Sequence, residues 1–320
     1  MQKPLIIIVG PTAIGKSALG VELALILNGE IISGDSVQVY KKLDIGSAKP
    51  TPEEQKGIPH HLIDLLDPQE PFTAASFQVR TKELIQSLQA QGKVPIIVGG
   101  TGLYIRSILD DFAFPQEGSD LIKKKWLEYA KVNGNKALHG RLEEVDPVSA
   151  LKLHPNDTAR IVRALEVLEL TGKPLSEQRA YKEREYRDLG NSVIYVGLEA
   201  PREIIYDRIN KRCEQMVNCG LIEEVQALLR DGYSPKLKAL QSIGYRHTLY
   251  YLRGLVSLAE MLRIFKRDTR RFAKRQLTWF RRDPRIRWYD ITALSLEDIV
   301  IDIVSTCTVF QSRVQLKKKI

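Results

Sequence analysis

The chain has 320 residues, of which 43% are hydrophobic, and its formal net charge at pH 7 is +9. This composition supports a folded core, and it excludes a membrane-spanning chain because no stretch approaches the roughly 18 consecutive apolar residues that a bilayer requires. The three cysteines, Cys213, Cys219 and Cys307, have no CxxC spacing, which argues against a disulfide framework or a structural zinc site. Since no signal-peptide cleavage pattern follows the N-terminus, we expect a cytoplasmic protein.

Short apolar runs alternate with helical patterns in the first part of the chain. The runs are rich in β-branched residues, are bounded by Gly or Pro, and predict strands at 4–10, 30–36, 93–100 and 192–200. Helical periodicity lies between or after them, over 17–28, 73–91 and 102–110. Buried strands that alternate with helices predict an α/β fold with a parallel sheet and helices on both of its faces.

This alternation stops near residues 112–118, and the following pattern is helical and strongly charged. We therefore predict a helical insertion domain over 117–188 within a single α/β core made of 1–116 and 189–320. Beyond residue 200 the chain is mostly helical again, over 201–218, 221–231, 243–253 and 257–281. A final strand is predicted at 285–292.

The segment "GPTAIGKS" follows the first predicted strand and precedes a helix, which is the context of a phosphate-binding loop in a P-loop NTPase-like core. Its glycines let successive amides face one centre, and the helix dipole adds positive potential there. The lysine adds a point charge and the serine hydroxyl of Ser17 can ligate Mg²⁺. The predicted phosphate-binding residues are Gly10, Pro11, Thr12, Ala13, Ile14, Gly15, Lys16 and Ser17. The loop alone does not say whether a nucleotide or another diphosphate binds.

The nearest acidic strand end is Asp35, in "SGDSVQVY", whereas the strand that ends "IIVGG" carries no carboxylate. A nucleotide hydrolase usually carries a metal-binding acidic residue at the end of a second strand, and the strand that ends "IIVGG" has none. Asp35 lies at the carboxyl edge of the predicted sheet, where open α/β sheets bind ligands. Its carboxylate could hold a metal through water or act as a base, and an ordinary turn or helix-capping role is the alternative.

Basic residues are clustered. Residues 266–287 hold ten Lys or Arg and two Asp, and shorter basic runs occur at 123–125 and 317–319. Clustering of this kind favours a polyanionic partner, although a charge run alone is also typical of a solvated helix face. Within 266–287 the basic residues interleave with Trp279, which favours RNA.

Eight motifs in order give the chain a clear resemblance to the bacterial tRNA dimethylallyltransferase family. They are "GPTAIGKS", "GDSVQVY", "DIGSAKP", "PHHLID", "GGTGLYI", "HPNDTARIVRALE", "QSIGYR" and "AKRQLTWFR", and together they span nearly the whole chain. The departures are small, at Ile14, Val37 and Ala159. The zinc finger of eukaryotic members is absent from the sequence.

The resemblance implies a reaction and its participants. A dimethylallyl group would move from dimethylallyl diphosphate to the exocyclic N6 amine of the adenosine 3′ of the anticodon, with Mg²⁺ as cofactor. Asp35 would be the catalytic base, and Thr101 would position Asp35, the leaving group or the metal, unless it only caps the following helix. The partner would be the anticodon stem-loop of tRNA, with the adenine flipped into a pocket, and the protein would be a monomer that needs no membrane.

The resemblance also implies a set of tRNA-binding residues, within which Ser36 and Gln38 could read the base edge. Arg160 and Arg163 share a helix face that suits phosphates or a stacked base, or they form an ordinary exposed pair. The set comprises Asp35, Ser36, Val37, Gln38, Thr101, Lys123, Ala159, Arg160, Ile161, Val162, Arg163, Gln241, Ser242, Ile243, Gly244, Tyr245, Arg246, Lys274, Arg275, Gln276, Leu277, Thr278, Trp279, Phe280 and Arg281. The adjacent His60 and His61 are expected to have structural roles.

Three other functions compete with this interpretation. A small-molecule kinase shares the loop and the sheet, but it does not explain the basic segment 266–287. An adenylate isopentenyltransferase modifies free nucleotides and has no need of that segment. A nucleotide-switched RNA-binding protein would bind GTP or ATP tightly without any transferase activity.

Overall fold

The computed structural model describes residues 3–110, 114, 118–180 and 193–317. The chain forms two compact units, one made of Met1–Ile105 with Leu189–Ile320 and one of Arg106–Asp188. The domain boundaries predicted at 116–117 and 188–189 lie outside the described residues, as does most of the basic run at 317–319. No helix among the described residues is long and apolar enough to cross a bilayer.

The first unit is built on a six-stranded sheet in the order β3-β2-β4-β1-β5-β6, with every neighbouring pair parallel. The strands are β1 (Leu5–Val9), β2 (Gly29–Ser33), β3 (His60–His61), β4 (Val94–Val98), β5 (Val193–Glu199) and β6 (Arg287–Asp290). The predicted parallel sheet is confirmed, including its final strand. The two-residue β3, paired with Ile31 and Ile32 of β2, was not predicted.

The central strands are apolar along their whole length because both of their faces are covered. Every residue of β1, β2 and β4 is buried. Ile7 of β1 lies between Ile97 of β4 and Tyr195 of β5, at the middle of this core. Continuous burial explains why these strands read as unbroken apolar runs and not as alternating patterns.

The helices of the first unit follow the predicted pattern closely. Those before the second unit are α1 (Lys16–Leu27), α2 (Pro52–Gln55), α3 (Ala74–Ala90) and α4 (Gly102–Leu109), the last of which spans the boundary in the chain. Those after β5 are α9 (Arg202–Asn218), α10 (Leu221–Arg230), α11 (Tyr245–Leu252), α12 (Leu258–Phe280) and α13 (Leu296–Lys317). The short α2 and the long C-terminal α13 were not predicted.

The second unit is helical, as expected for this stretch. It contains α5 (Asp120–Val145), α6 (Pro147–Ala150), α7 (Thr158–Thr171) and α8 (Leu175–Ala180). The chain breaks from helical geometry at Gly134, where φ is 84°, so that α5 is two helices in succession. Leu138, Leu142 and Leu165 are buried in its core, and Trp126 packs against them.

Candidate active site

Three loops meet at the carboxyl edge of the sheet because β1, β2 and β4 are parallel neighbours. Residues 10–15 follow β1, residues 34–38 follow β2 and residues 99–101 follow β4. The Gly34 N–H donates to the Val98 carbonyl at 2.8 Å, and the Thr101 N–H donates to the Gly34 carbonyl at 3.3 Å. The segments that carry Asp35 and Thr101 are therefore joined by main-chain hydrogen bonds.

The phosphate-binding loop depends on glycine at both of its ends. Gly10 has φ 144°, and a Cβ atom there would lie 2.6 Å from the Leu198 carbonyl oxygen of β5. Gly15 has φ 104° and directly precedes α1, whose amino end points its unpaired N–H groups at the loop. The Lys16 ammonium donates to the Pro11 carbonyl at 2.7 Å and so lies back along the loop.

Two arginines of α9 reach the same loop, and sequence reasoning missed both. Arg212 donates to the Thr12 hydroxyl at 3.4 Å, and Arg208 approaches the Ile14 carbonyl at 3.5 Å. The two arginines are four residues apart, so the sequence alone places them on the same face of a helix. The sequence does not show that this face packs against a loop almost 200 residues earlier.

The charges of Lys16, Arg212 and Asp35 are electrostatically linked. Burial is the main cause that lowers the pKa of the Lys16 ammonium to about 7, helped by Arg212 and opposed by the Asp35 carboxylate. Burial likewise lowers the pKa of Arg212, again against the effect of Asp35. Two partly buried cations beside one carboxylate leave the loop with a net positive field, which favours a polyphosphate group.

Asp35 is partly buried and closes a short turn. Its Oδ1 atom accepts the N–H of Val37 at 2.8 Å and that of Gln38 at 3.4 Å. Both N–H groups donate to the same oxygen, so the Asp35 side chain stabilises the turn. These hydrogen bonds also fix the orientation of its carboxylate. This role leaves the proposed catalytic role open, because a base requires a fixed orientation toward its proton.

The Gln38 side chain makes hydrogen bonds inside the protein. Its Oε1 atom accepts the Ser33 hydroxyl at 2.9 Å, while its Nε2 donates to the carbonyls of Ala48 and Ser47 at 3.0 and 3.3 Å. Both ends of the amide are thus used within the protein, and the reading of a base edge by Gln38 remains a prediction. Ser36, in contrast, is exposed.

Gln276 of α12 also has a role inside the protein. It is buried, its Oε1 accepts the Thr12 N–H at 2.9 Å, and its Nε2 donates to the Gly100 carbonyl at 3.0 Å. Gly100 leaves the space for this contact, since a Cβ atom there would lie 2.1 Å from Nε2. Gln276 therefore links the loops after β1 and β4, while its contact with RNA remains a prediction.

The remaining predicted RNA-binding residues differ in accessibility. Tyr245 is fully buried and its hydroxyl donates to Glu224 at 2.7 Å. The other buried members, which pack inside the protein, are Ile161, Val162, Gly244 and Phe280. Partly buried are Val37, Thr101, Arg163, Ser242, Ile243, Arg246, Leu277 and Trp279. Exposed are Ser36, Lys123, Ala159, Arg160, Gln241, Lys274, Arg275, Thr278 and Arg281.

Three of these cations form ion pairs within the protein. Arg281 contacts Glu199 at 2.9 Å, Arg160 contacts Asp157 at 3.3 Å and Arg163 contacts Glu166 at 2.7 Å. Exposed pairs contribute little stability, so such side chains exchange partners at small cost when a phosphate approaches. The Glu166 carboxylate is buried, which makes the Arg163 pair the firmest of the three.

The two adjacent histidines make hydrogen bonds inside the protein, which is compatible with the structural roles expected for them. His60 Nδ1 donates to the Ile58 carbonyl at 2.8 Å, and His61 Nε2 lies 2.6 Å from Glu30 Oε2. No group of three or more His, Cys, Asp or Glu side chains in the described ranges is arranged to hold a metal ion.

Comparison with known proteins decides the family. The family model described as IPP transferase matches residues 38–283. A tRNA dimethylallyltransferase of Desulfitobacterium hafniense (strain DSM 10664 / DCB-2) is 62% identical over 314 residues, covering 98% of this chain and 100% of the relative. The chain belongs to the IPP transferase family. A tRNA dimethylallyltransferase of Carboxydothermus hydrogenoformans is 51% identical over 95% of this chain and 97% of its own length.

Solved structures of this family support the same assignment. The tRNA isopentenylpyrophosphate transferase of Bacillus halodurans is 39% identical, with a TM-score of 0.72 and coverage of 99% of this chain and 100% of that one. A eukaryotic dimethylallyltransferase described as acting on tRNA is 29% identical, with a TM-score of 0.76 over 90% of this chain and 74% of that one. The resemblance seen in the motifs is thus confirmed over nearly the whole chain.

Proposed function

We propose that this IPP transferase family member moves a dimethylallyl group from dimethylallyl diphosphate to the N6 amine of the adenosine 3′ of the anticodon in tRNA, releasing diphosphate. The single observation that carries the proposal is the phosphate-binding loop set beside Asp35 at one edge of the sheet. The relatives' names and the tRNA-acting structural neighbour support the choice of prenyl donor and tRNA acceptor.

The leaving diphosphate is the group that the loop would bind. Cleavage of the allylic C–O bond leaves negative charge on the diphosphate oxygens. The loop amides, Lys16 and Arg212 are fixed in place before the reaction, so they stabilise that charge as it develops without reorganising. No residue that activates water is needed, because the acceptor amine is the nucleophile.

Asp35 would act as the base that removes a proton from the acceptor amine. The N6 lone pair is delocalised into the purine, so the amine attacks poorly unless its proton leaves as the new bond forms. A positioned carboxylate typically contributes about 10²–10⁴-fold to such a step. Thr101, held to the Asp35 segment through Gly34, would orient either Asp35 or the leaving group.

Mg²⁺ fits the oxygen donors at this edge. The ion prefers hard oxygen ligands and usually binds through one or two protein groups together with substrate phosphates and water. Ser17 is exposed at the start of α1, where its hydroxyl would hold the ion, and Asp35 would contribute through water. When bound, Mg²⁺ would supply further positive charge to the diphosphate.

The exposed basic residues would bind the tRNA acceptor. Lys274, Arg275 and Arg281 of the α12 segment lie on the surface, next to the partly buried Trp279. Such cations neutralise backbone phosphates, and an aromatic ring can stack on an unstacked base. A loop adenosine would have to leave its stack to reach a site at the sheet edge.

The test is to incubate the protein with dimethylallyl diphosphate, Mg²⁺ and unmodified tRNA, and to look for one added isoprenoid unit on the tRNA by mass spectrometry. Parallel reactions replace the tRNA with AMP, or the donor with ATP and a small acceptor. Addition to tRNA alone is expected. Addition to AMP with none to tRNA, or phosphoryl transfer from ATP, would overturn the proposal.

A further inference from the structure

A carboxylate outside the candidate site accepts four hydrogen bonds, three of them from one turn of the chain. Glu224 lies on α10 beside the apolar stripe formed by Leu221, Val225 and Leu228. Its Oε2 accepts the N–H groups of Ile45 and Asp44 at 2.7 and 3.0 Å. Its Oε1 accepts the Gly46 N–H at 3.2 Å and the Tyr245 hydroxyl at 2.7 Å.

The turn at 44–48 is fixed from two further sides. The ring of Tyr245 packs against Gly46, where a Cβ atom would lie 2.5 Å from the ring. The buried Lys49 ammonium pairs with the carboxylates of Asp44 and Asp64 and donates to the Tyr40 carbonyl at 2.6 Å. Three successive N–H groups aimed at one carboxylate form a cradle that favours an anion, because hydrogen bonds to a charged acceptor are the stronger ones.

The turn at 44–48 also binds the side chain of Gln38, and the backbone of Gln38 binds Asp35. The carbonyls of Ser47 and Ala48 accept the two N–H bonds of the Gln38 amide. The backbone N–H of Gln38, together with that of Val37, then donates to Asp35 Oδ1. A continuous chain of contacts therefore runs from Glu224 through the turn and Gln38 to the carboxylate of Asp35.

We propose that Glu224 is a positioning residue for prenyl transfer, which sets the orientation of Asp35 through the turn at 44–48 and Gln38. The inference rests on the proposal that Asp35 is the base. Because Glu224 contacts the turn and Tyr245 and not the loops of the candidate site, its effect is expected on the rate of the chemical step and not on the binding of donor or tRNA. A loss of about 1 Å in alignment at a reacting group can cost about 100-fold in rate.

The test is Glu224→Gln, which keeps the shape of the side chain but offers one acceptor oxygen in place of two. We expect the single-turnover rate of transfer to fall by about 10- to 100-fold, while the Kd values for donor and tRNA stay within about twofold of the parent. The matched control is Glu223→Gln, because Glu223 is the exposed neighbour on the same helix. This control is expected to leave the rate unchanged.

A double-mutant cycle separates positioning from general damage. If Glu224 acts through Asp35, adding Glu224→Gln to Asp35→Asn costs much less than it does in the parent protein. Additive losses, an unchanged rate in folded Glu224→Gln, or weakened substrate binding that accounts for the loss would each overturn the inference. If Asp35→Asn itself transfers at the parent rate, the proposed base is wrong, which is a separate result.

A second variant decides the case in which Glu224→Gln does not fold. Tyr245→Phe keeps the ring against Gly46 and removes the hydroxyl, which donates to Glu224 and also interacts with the Ser47 main chain within the same turn. A fall of about 3- to 10-fold in the single-turnover rate with unchanged substrate affinities is expected, because hydrogen bonds to the turn are lost while the packing stays. A parent rate in a folded Tyr245→Phe would then count against the inference.

Discussion

The side-chain amide of Gln276 accepts the backbone N–H of Thr12, 264 positions earlier in the chain, at 2.9 Å. Its other end donates to the Gly100 carbonyl, so one residue of α12 holds the loops after β1 and β4 together. The helix whose exposed face is proposed to bind tRNA therefore fixes the proposed diphosphate site with its buried face. The two proposed binding sites are therefore connected through this side chain.

Gln276→Met should therefore affect both stability and donor binding. Methionine fills a similar volume but leaves the Thr12 N–H and the Gly100 carbonyl without their partner, which costs about 1–3 kcal/mol when such groups are buried. We expect the free energy of unfolding in urea to fall by that amount, and calorimetry to show weaker binding of dimethylallyl diphosphate. Gln215→Met, on the exposed face of α9, is the control. Equal behaviour of the two variants would refute this role of Gln276.

Asp35→Ala should abolish transfer while tRNA binding remains largely intact. Loss of a general base typically costs about 10²–10⁴-fold, whereas one partly buried carboxylate adds little to a basic RNA-binding surface. Single-turnover transfer and a filter-binding Kd measure the two effects separately. Asp231→Ala removes a carboxylate that pairs with Lys42 on the surface, and it should leave both unchanged. Near-normal turnover of Asp35→Ala would remove Asp35 as the base.

The main sheet was predictable because its strands are short and apolar throughout. The runs around Ile7, Ile32 and Ile97 are short, rich in β-branched residues and buried, which is typical of a parallel sheet covered on both faces. The phosphate-binding loop was predictable because its chemistry depends on local spacing. The strand β3 was missed because two residues carry no pattern, and it exists only through its pairing with β2. Helix α13 was missed because its many β-branched residues weaken helix propensity.

The internal roles within the candidate site could not be predicted in the same way. Gln276 and Arg212 reach Thr12 across 264 and 200 positions, respectively, and no local pattern records such contacts. Motif resemblance identified Gln38 and Tyr245 as functional but not which way their side chains point. Both are used inside the protein, where a polar group must find a partner when it is buried.

Donor binding should weaken as the pH rises through about 7. Lys16 must be charged to attract the diphosphate, and burial lowers the pKa of its ammonium to about 7 in the free protein. Above that value, binding has to recruit a proton, so the affinity should fall by up to about tenfold per pH unit. Calorimetry of dimethylallyl diphosphate from pH 6 to pH 9 measures this slope.

The Lys16→Met variant supplies the control for that measurement. The donor's own ionisation is common to both proteins, so the difference between their slopes belongs to Lys16. The variant should bind more weakly at pH 6 and lose less affinity above pH 7 than the parent does. Parallel slopes in the two proteins would show that the Lys16 ammonium stays charged across this range.

Lys274→Ala combined with Arg281→Ala should weaken tRNA binding and reduce its salt dependence. Both side chains are exposed, and each lost phosphate contact lowers the slope of log K against log salt concentration by about 0.7 to 0.9. The double variant Lys42→Ala with Lys56→Ala removes the same charge from exposed residues outside the proposed interface. Filter binding between 50 and 200 mM salt, about the range over which such contacts are lost, compares the two. Both double variants lose two positive charges, so an effect of net charge alone would be equal in the two. If the Lys274 and Arg281 variant keeps a slope as steep as that of the parent, these two residues do not contact the tRNA phosphates.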